Sequence, residues 1–227
     1  MSMTDERSAM LELAEDQASR KRFLKMVGGA GAAGAFSIFL AACGSDDESS
    51  SSTSSTEKTT STAGGAKGDI EIANYALTLE YLEAAFYQEV IDAGVIKDKM
   101  IGELATSIGE NEQEHVDALT ALVKQLGGTP ATKPKTKFGP VIEGGPEMIL
   151  DTAATVENLG AAAYLGQAGN IKSKDVLAAA LSIHTVEGRH AAALNTLVGK
   201  TIVPDGAFAK PADMKEVLAA VKPFIAS

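Results

Sequence analysis

Two tetrapeptides, Glu112-Gln113-Glu114-His115 and Glu187-Gly188-Arg189-His190, constrain this chain more than any other feature. Three residues advance an α-helix by about 300° and roughly 4.5 Å. A Glu and a His at that spacing share one helical face and can reach one ion, or two adjacent ions. A single such tetrapeptide carries little weight, because Glu is common. Here two of the chain's three histidines follow a Glu at that interval. The surroundings recur too. Ser107-Ile108, Ala118-Leu119 and Leu122-Val123 reappear as Ser182-Ile183, Ala193-Leu194 and Leu197-Val198, all 75 positions later. The chain reads as an internal duplication.

Each repeat has an upstream partner. Leu79-Glu80-Tyr81-Leu82, Ala84-Ala85 and Tyr87 align with Val156-Glu157-Asn158-Leu159, Ala161-Ala162 and Tyr164, at an offset of 77. Each half is therefore a helix carrying one Glu followed by a helix carrying Glu-x-x-His. Together they supply four carboxylates and two imidazoles.

Apolar periodicity places the helices. Helix A is expected from about Asp69, as N-cap, to Ala93, with Gly94 as its stop. Helix B is expected over about 97–126. Residues 127–146, with four prolines, show no helical pattern and read as a long crossover. Helix C is expected over about 147–168, and helix D over about 173–198, capped by Ser173 and stopped by Gly199. A short helix over about 212–225 is expected to lie across the bundle as a lid or brace, without chemistry. Short A–B and C–D loops make antiparallel neighbours, and one long B–C crossover joins the two hairpins. Aromatics make up 5% of the chain and Trp is absent, so the core must be built from small aliphatic residues, which suits close helix packing.

Four inward carboxylates cannot be buried uncompensated. Two divalent cations would neutralise them. Oxygen and imidazole donors without sulfur suit Fe or Mn better than Cu(I), and also admit Zn. In that scheme Glu112 and Glu187 bridge or chelate, Glu80 and Glu157 are terminal, and His115 and His190 each bind one ion. Glu83, about 60° round the helix from Glu80, is a candidate extra ligand, although its repeat counterpart is Gly160. His184, one turn before Glu187, is a candidate support residue or surface histidine, with a place among the ligands as the alternative. Tyr87 and Tyr164 are candidates to hydrogen-bond ligand carboxylates across the core. Asn74 and Asp151, equivalent in the repeat, are candidates for a hydrogen bond to a ligating histidine.

Glu80, Glu112-x-x-His115, Glu157 and Glu187-x-x-His190 match in order the ligand pattern of ferritin-like di-iron carboxylate proteins. The stretches from Leu79 to Tyr87 and from Ala163 to Gly166 resemble the ferritin-like family that includes plant desiccation-related proteins and many bacterial exported proteins. The resemblance covers about residues 69–200. It implies an all-α, ferritin-like four-helix bundle with a dinuclear metal centre of two Fe ions, or alternatively Mn, and it implies metal binding more firmly than any reaction.

The N-terminal segment reads as an address, not as part of the fold. Arg20-Lys21-Arg22 precedes an apolar run from Met26 to Ala42, and resembles a twin-arginine (Tat) export signal with Lys21 at the second Arg position. The run ends in Leu40-Ala41-Ala42-Cys43, which resembles a bacterial lipoprotein processing site, with lipid carried on Cys43. An uncleaved anchor is the alternative, but 17 residues are short for a span of ~20. Cys43 is the single cysteine, so no thiol remains for a disulfide or a thiolate metal site. Residues 43–68, rich in Ser and Thr, are expected to form a disordered tether; residues 1–42 are the signal, 69–200 the bundle and 201–227 an extension. The chain is thus expected outside the cell, lipid-anchored to the outer face of the cytoplasmic membrane.

A net charge of −10 argues against a nucleic-acid partner, which requires a basic face. The expected activity is iron oxidation or removal of peroxide or O2 at the cell surface. The alternative is a non-catalytic structural protein of desiccation stress, in which the metal only stabilises the bundle. A solute-capture lipoprotein would need a second open pocket, of which the sequence carries no sign. Bulk iron storage is not expected, since a lipidated tether on every subunit hinders a closed shell; a homodimer is compatible with the sequence.

Overall fold

The structure, a computed structural model, describes residues 63–226. The signal segment, Cys43 and the tether up to residue 62 lie outside the described residues. Six α-helices are described: α1 (Ala63–Ala93), α2 (Lys99–Gln125), α3 (Gly139–Glu143), α4 (Gly145–Ala168), α5 (Lys174–Leu197) and α6 (Met214–Val221), followed by a 3₁₀ turn at Lys222–Phe224. The fold is an all-α bundle in which α1 pairs with α2 and α4 with α5. Among the described residues no helix is long and apolar enough to cross a membrane.

Local chemistry sets most of the boundaries. Asp98 is extended and accepts from the amides of Met100 and Ile101 at 2.9 and 3.0 Å, satisfying donors that α2 leaves open at its start. Gly94 ends α1 with a φ of 59°, a left-handed conformation that glycine adopts without a Cβ penalty. At α6, Asp213 and Glu216 form a reciprocal capping box.

Four expectations need correction. First, α1 begins at Ala63 and not at Asp69, so residues 63–68 belong to the helix and not to the tether. Asp69 is not its N-cap. Its buried carboxylate instead receives the amides of Lys172 and Ser173, both at 2.8 Å, just before α5, whose N-cap is Ser173. Second, the crossover is not wholly irregular. It contains α3, entered through buried Phe138, whose ring meets Phe86 at 5.1 Å and Phe224 at 5.3 Å. Third, the last helix stops at Val221, because Pro223 offers no amide to continue it. Residues beyond it run alongside the crossover: Lys137 donates to Phe224 at 2.8 Å and Ala226 to Lys135 at 2.9 Å. Fourth, Asn74 does not serve a histidine. It holds the start of the crossover, donating to the Thr129 carbonyl at 3.1 Å and accepting from the Ala131 amide at 2.6 Å.

The core has three apolar parts. One end of the bundle is filled by residues such as Leu77, Leu119, Leu122 and Ile183. The other is filled by Phe86, Val90, Ile108, Ile149 and Leu194. A third group, Tyr75, Leu79, Leu82 and Ala163, lies under Val217 and Val221 of α6. The approach to α6 is close: the amide of Ala212 donates to the Ala162 carbonyl at 3.0 Å, and a Cβ on Gly166 would collide with the Ala212 carbonyl. Between the two end layers, where more leucine would be expected, lie four glutamates.

Candidate metal centre

Glu80 on α1, Glu112 on α2, Glu157 on α4 and Glu187 on α5 are completely buried. His115 and His190 are nearly so, with ring centroids 6.4 Å apart. The ligand atoms form two overlapping sets: Glu80, Glu112, His115 and Glu187, and Glu112, Glu157, Glu187 and His190. Within each set the atoms lie within 4.8 Å of one another. Glu112 and Glu187 belong to both sets, as bridging carboxylates must. Glu80 and Glu157 each belong to one.

The contacts are reciprocal between hairpins. His115 Nδ1 lies 3.2 Å from Glu80, 3.0 Å from Glu112 and 3.3 Å from Glu187. His190 Nδ1 lies 2.8 Å from Glu112 and 3.2 Å from Glu157. Tyr87 on α1 donates to Glu157 of the other hairpin at 2.6 Å. Tyr164 on α4 donates to Glu80 in return. Each terminal carboxylate is thus oriented by a tyrosine from the opposite repeat.

One supporting residue escaped the sequence reading. Asn111 Oδ1 accepts from Nε2 of His190 at 3.2 Å. That bond occupies Nε2 and leaves Nδ1, the ring's other nitrogen, facing the carboxylates, where it could exchange its proton for a cation. The repeat held a signal for it, because the counterpart of Asn111 is Val186 and one hairpin lacks the amide. The other candidates fall away from the ligand sets. His184 is partly buried and bonds through Nδ1 with the Ala161 carbonyl at 3.0 Å. Asp151 is exposed and pairs with Lys200 at 3.1 Å. Glu83 is buried beside the centre but belongs to neither ligand set.

Crowded charge shifts the protonation equilibria. Burial, reinforced by repulsion from Glu112, Glu80 and Glu157, pushes Glu187 well above the ordinary carboxylate range. Burial and the charge of Glu157 raise Glu112 to about 7, against the pull of hydrogen bonds to both histidines. Burial and the Glu187 charge raise Glu83 well above its usual value. Burial also works against Glu80, but His115, through its charge and hydrogen bond, holds this carboxyl below its usual value. Burial alone would lower His190; its bonds to Glu112 and Glu157 outweigh that and raise it to about 10. His115 is held well above the histidine range, as Glu80 and its neighbours overcome burial.

Without cations, then, the cluster is strained by like charges and retains protons. Glu187 Oε2 has no donor at all, and Glu112 Oε1 and Glu187 Oε1, though 2.8 Å from His190 and 3.3 Å from His115, accept no hydrogen bond of suitable geometry. Buried carboxylate oxygens without a donor are costly. They belong to the two bridging candidates, so cations between them would meet the deficit. The residues present fit a pair of metal ions.

A family model described as a ferritin-like domain matches residues 68–200. No curated protein matches the chain.

Proposed function

This chain is a member of the ferritin-like domain family, and from that membership and the geometry of its centre we propose an exported, lipid-anchored protein that holds two iron ions, or two manganese ions, for oxidation chemistry at the cell surface. The observation that carries the reading is the pair of overlapping ligand sets sharing Glu112 and Glu187, with unsatisfied buried oxygens on those two residues.

Glu80, Glu112, His115, Glu157, Glu187 and His190 would hold two ions side by side, and such a pair, when bound, would supply the electrons for reduction of O2 or H2O2. The chain's own residues do the rest. Glu112 and Glu187 can span both positions and hold them close. Tyr87 and Tyr164 each occupy one oxygen of a terminal carboxylate, leaving the other to face the centre. Asn111 occupies Nε2 of His190. The apolar layers above and below exclude bulk water, which strengthens every electrostatic contact inside. Tethering through Cys43 would keep this chemistry at the membrane's outer face.

Oxygen or peroxide consumption with added Fe(II) tests the reading. Wild type is expected to turn over, and Glu112→Ala and His190→Ala to fall to the background rate. Equal rates in all three eliminate it. A second reading follows from the complete burial of the four carboxylates, which equally suits a metal that only braces the bundle in a stress-protection protein. It gains the case if chelation lowers the melting temperature while no turnover appears.

A further inference from the structure

The two hairpins differ most sharply next to the metal centre. Glu83 and Gly160 are equivalent by the repeat, and they face each other. A Cβ built on Gly160 would stand 2.9 Å from Glu83 Oε1 and 2.7 Å from Glu187 Oε2. Both oxygens crowd the space that the missing side chain leaves. Glu187 Oε2 is itself completely buried and accepts no hydrogen bond. Glu83 is 5% exposed; on one side it is the one charged residue lining a small cavity with Leu79, Leu82, Val156 and Val217, and on the other it faces the carboxylates of the centre. A carboxylate in such a place is buried charged only where a cation meets it, and the direction that offers one is across Gly160 toward Glu187.

Charge counting then separates two kinds of centre. Glu80, Glu112, Glu157 and Glu187 balance two divalent ions. A fifth carboxylate adds one more negative charge, which a divalent–trivalent pair balances and a divalent–divalent pair does not. We propose that Glu83 is a fifth carboxylate of the centre, admitted by Gly160, and that it makes the centre prefer one trivalent and one divalent cation over two divalent ones. This rests on the dinuclear reading above and adds to it the charge class of the ions. Gly160 is the positioning residue, since any side chain there displaces Glu83 or Glu187.

Redox-inert ions test the preference without turnover. Chelator-stripped full-length protein is titrated with zinc(II), and the bound zinc is then challenged with gallium(III) supplied as its nitrilotriacetate complex. Wild type should take two zinc ions, and one gallium should displace one of them. Glu83→Gln should still take two zinc ions, with its gallium-over-zinc preference lowered at least about tenfold, the effect of one charge at close range in a partly shielded site. An unchanged gallium-over-zinc ratio in Glu83→Gln overturns the inference. Should that variant fail to fold by circular dichroism, Glu83→Ala decides: a lowered ratio supports the inference and an unchanged one overturns it. Wild type that binds no zinc overturns the dinuclear reading itself, and this inference with it.

Discussion

The hairpins α1–α2 and α4–α5 present the same four functional positions to the centre and differ at several positions beside them. Glu80 and Glu157, Glu112 and Glu187, His115 and His190, and Tyr87 and Tyr164 are equivalent by the repeat, and each tyrosine reaches the terminal glutamate of the other half. Beside them, Glu83 faces Gly160. Asn111 supports His190, whereas Val186 stands at the equivalent place near His115. In the second hairpin Asn158 and Asn195 exchange amide hydrogen bonds at 2.9 and 3.2 Å, where the first has Tyr81 and Thr120. Gly109 lets α2 approach Tyr87 so closely that a Cβ there would be 2.9 Å away, while its counterpart His184 packs against the Ala161 carbonyl. Equal candidate ligands with unequal surroundings would give two metal positions that share bridges but not properties.

The largest effect should come from breaking what the halves share. Glu112→Ala removes a residue common to both ligand sets, so both ions should be lost from metal analysis of the purified variant. Its metal-free form should also melt below metal-free wild type, because His115 and His190 lose the carboxylate they lie against and removing one partner of a buried ion pair costs about 3–5 kcal/mol. A variant that keeps two ions would break the bridging assignment.

Asn111→Val gives the first hairpin the residue that the second has at the equivalent place, Val186. It should weaken one ion by about 10–100-fold, the usual cost of losing a partner of a ligating histidine, and leave the other nearly untouched in a two-site titration. Equal weakening at both would contradict the asymmetry. Tyr87→Phe and Tyr164→Phe should each cost about 1–3 kcal/mol of holoprotein stability, by stripping the donor from a buried carboxylate. Their denaturant midpoints should shift by similar amounts, because the two bonds are reciprocal.

The pH response is smaller and has a definite sign. Glu112 is raised from 4.5 to about 7, and Glu187 and Glu83 are raised further. The unfolded chain therefore sheds these protons first, and metal-free protein loses stability as pH rises from about 4.5 through 7. His190, raised from 6.5 to about 10, contributes stability that is full below 6.5 and fades as pH climbs through 10. Glu80 is lowered and acts oppositely: its contribution is present above its ordinary range and lost in acid. The melting temperature in chelator should thus fall from mildly acidic pH toward pH 10. The stabilisation given by added metal should grow over the same interval, because cations replace the protons that are leaving. A flat profile in chelator would mean that the carboxylates are not crowded.

Much of this architecture was legible in the amino-acid sequence for a simple reason. Helical spacing is local, so Glu-x-x-His and the Glu-to-Tyr interval of seven already place side chains on a face, and the duplication shows which faces must meet. What escaped depends on partners far along the chain. Asp69 has the composition of an N-cap, yet it binds amides 103 and 104 residues away, just before α5. Asn111 looks like any polar helix residue until α5 brings His190 to it. The pairing of the crossover with the last residues rests on backbone hydrogen bonds and on the Phe138–Phe224 ring contact, which no local spacing advertises. Asn74 and Asp151 show the converse error: equivalence in a repeat carries over only where both copies face the shared centre.

The account rests on six side chains converging on two cations. Anomalous scattering from crystals of protein purified from its own host, recorded on both sides of the iron and manganese absorption edges, tests this most directly. Two peaks are expected between Glu112 and Glu187, one beside His115 and the other beside His190. The absence of any peak there, or a single peak bound by one hairpin alone, would contradict it.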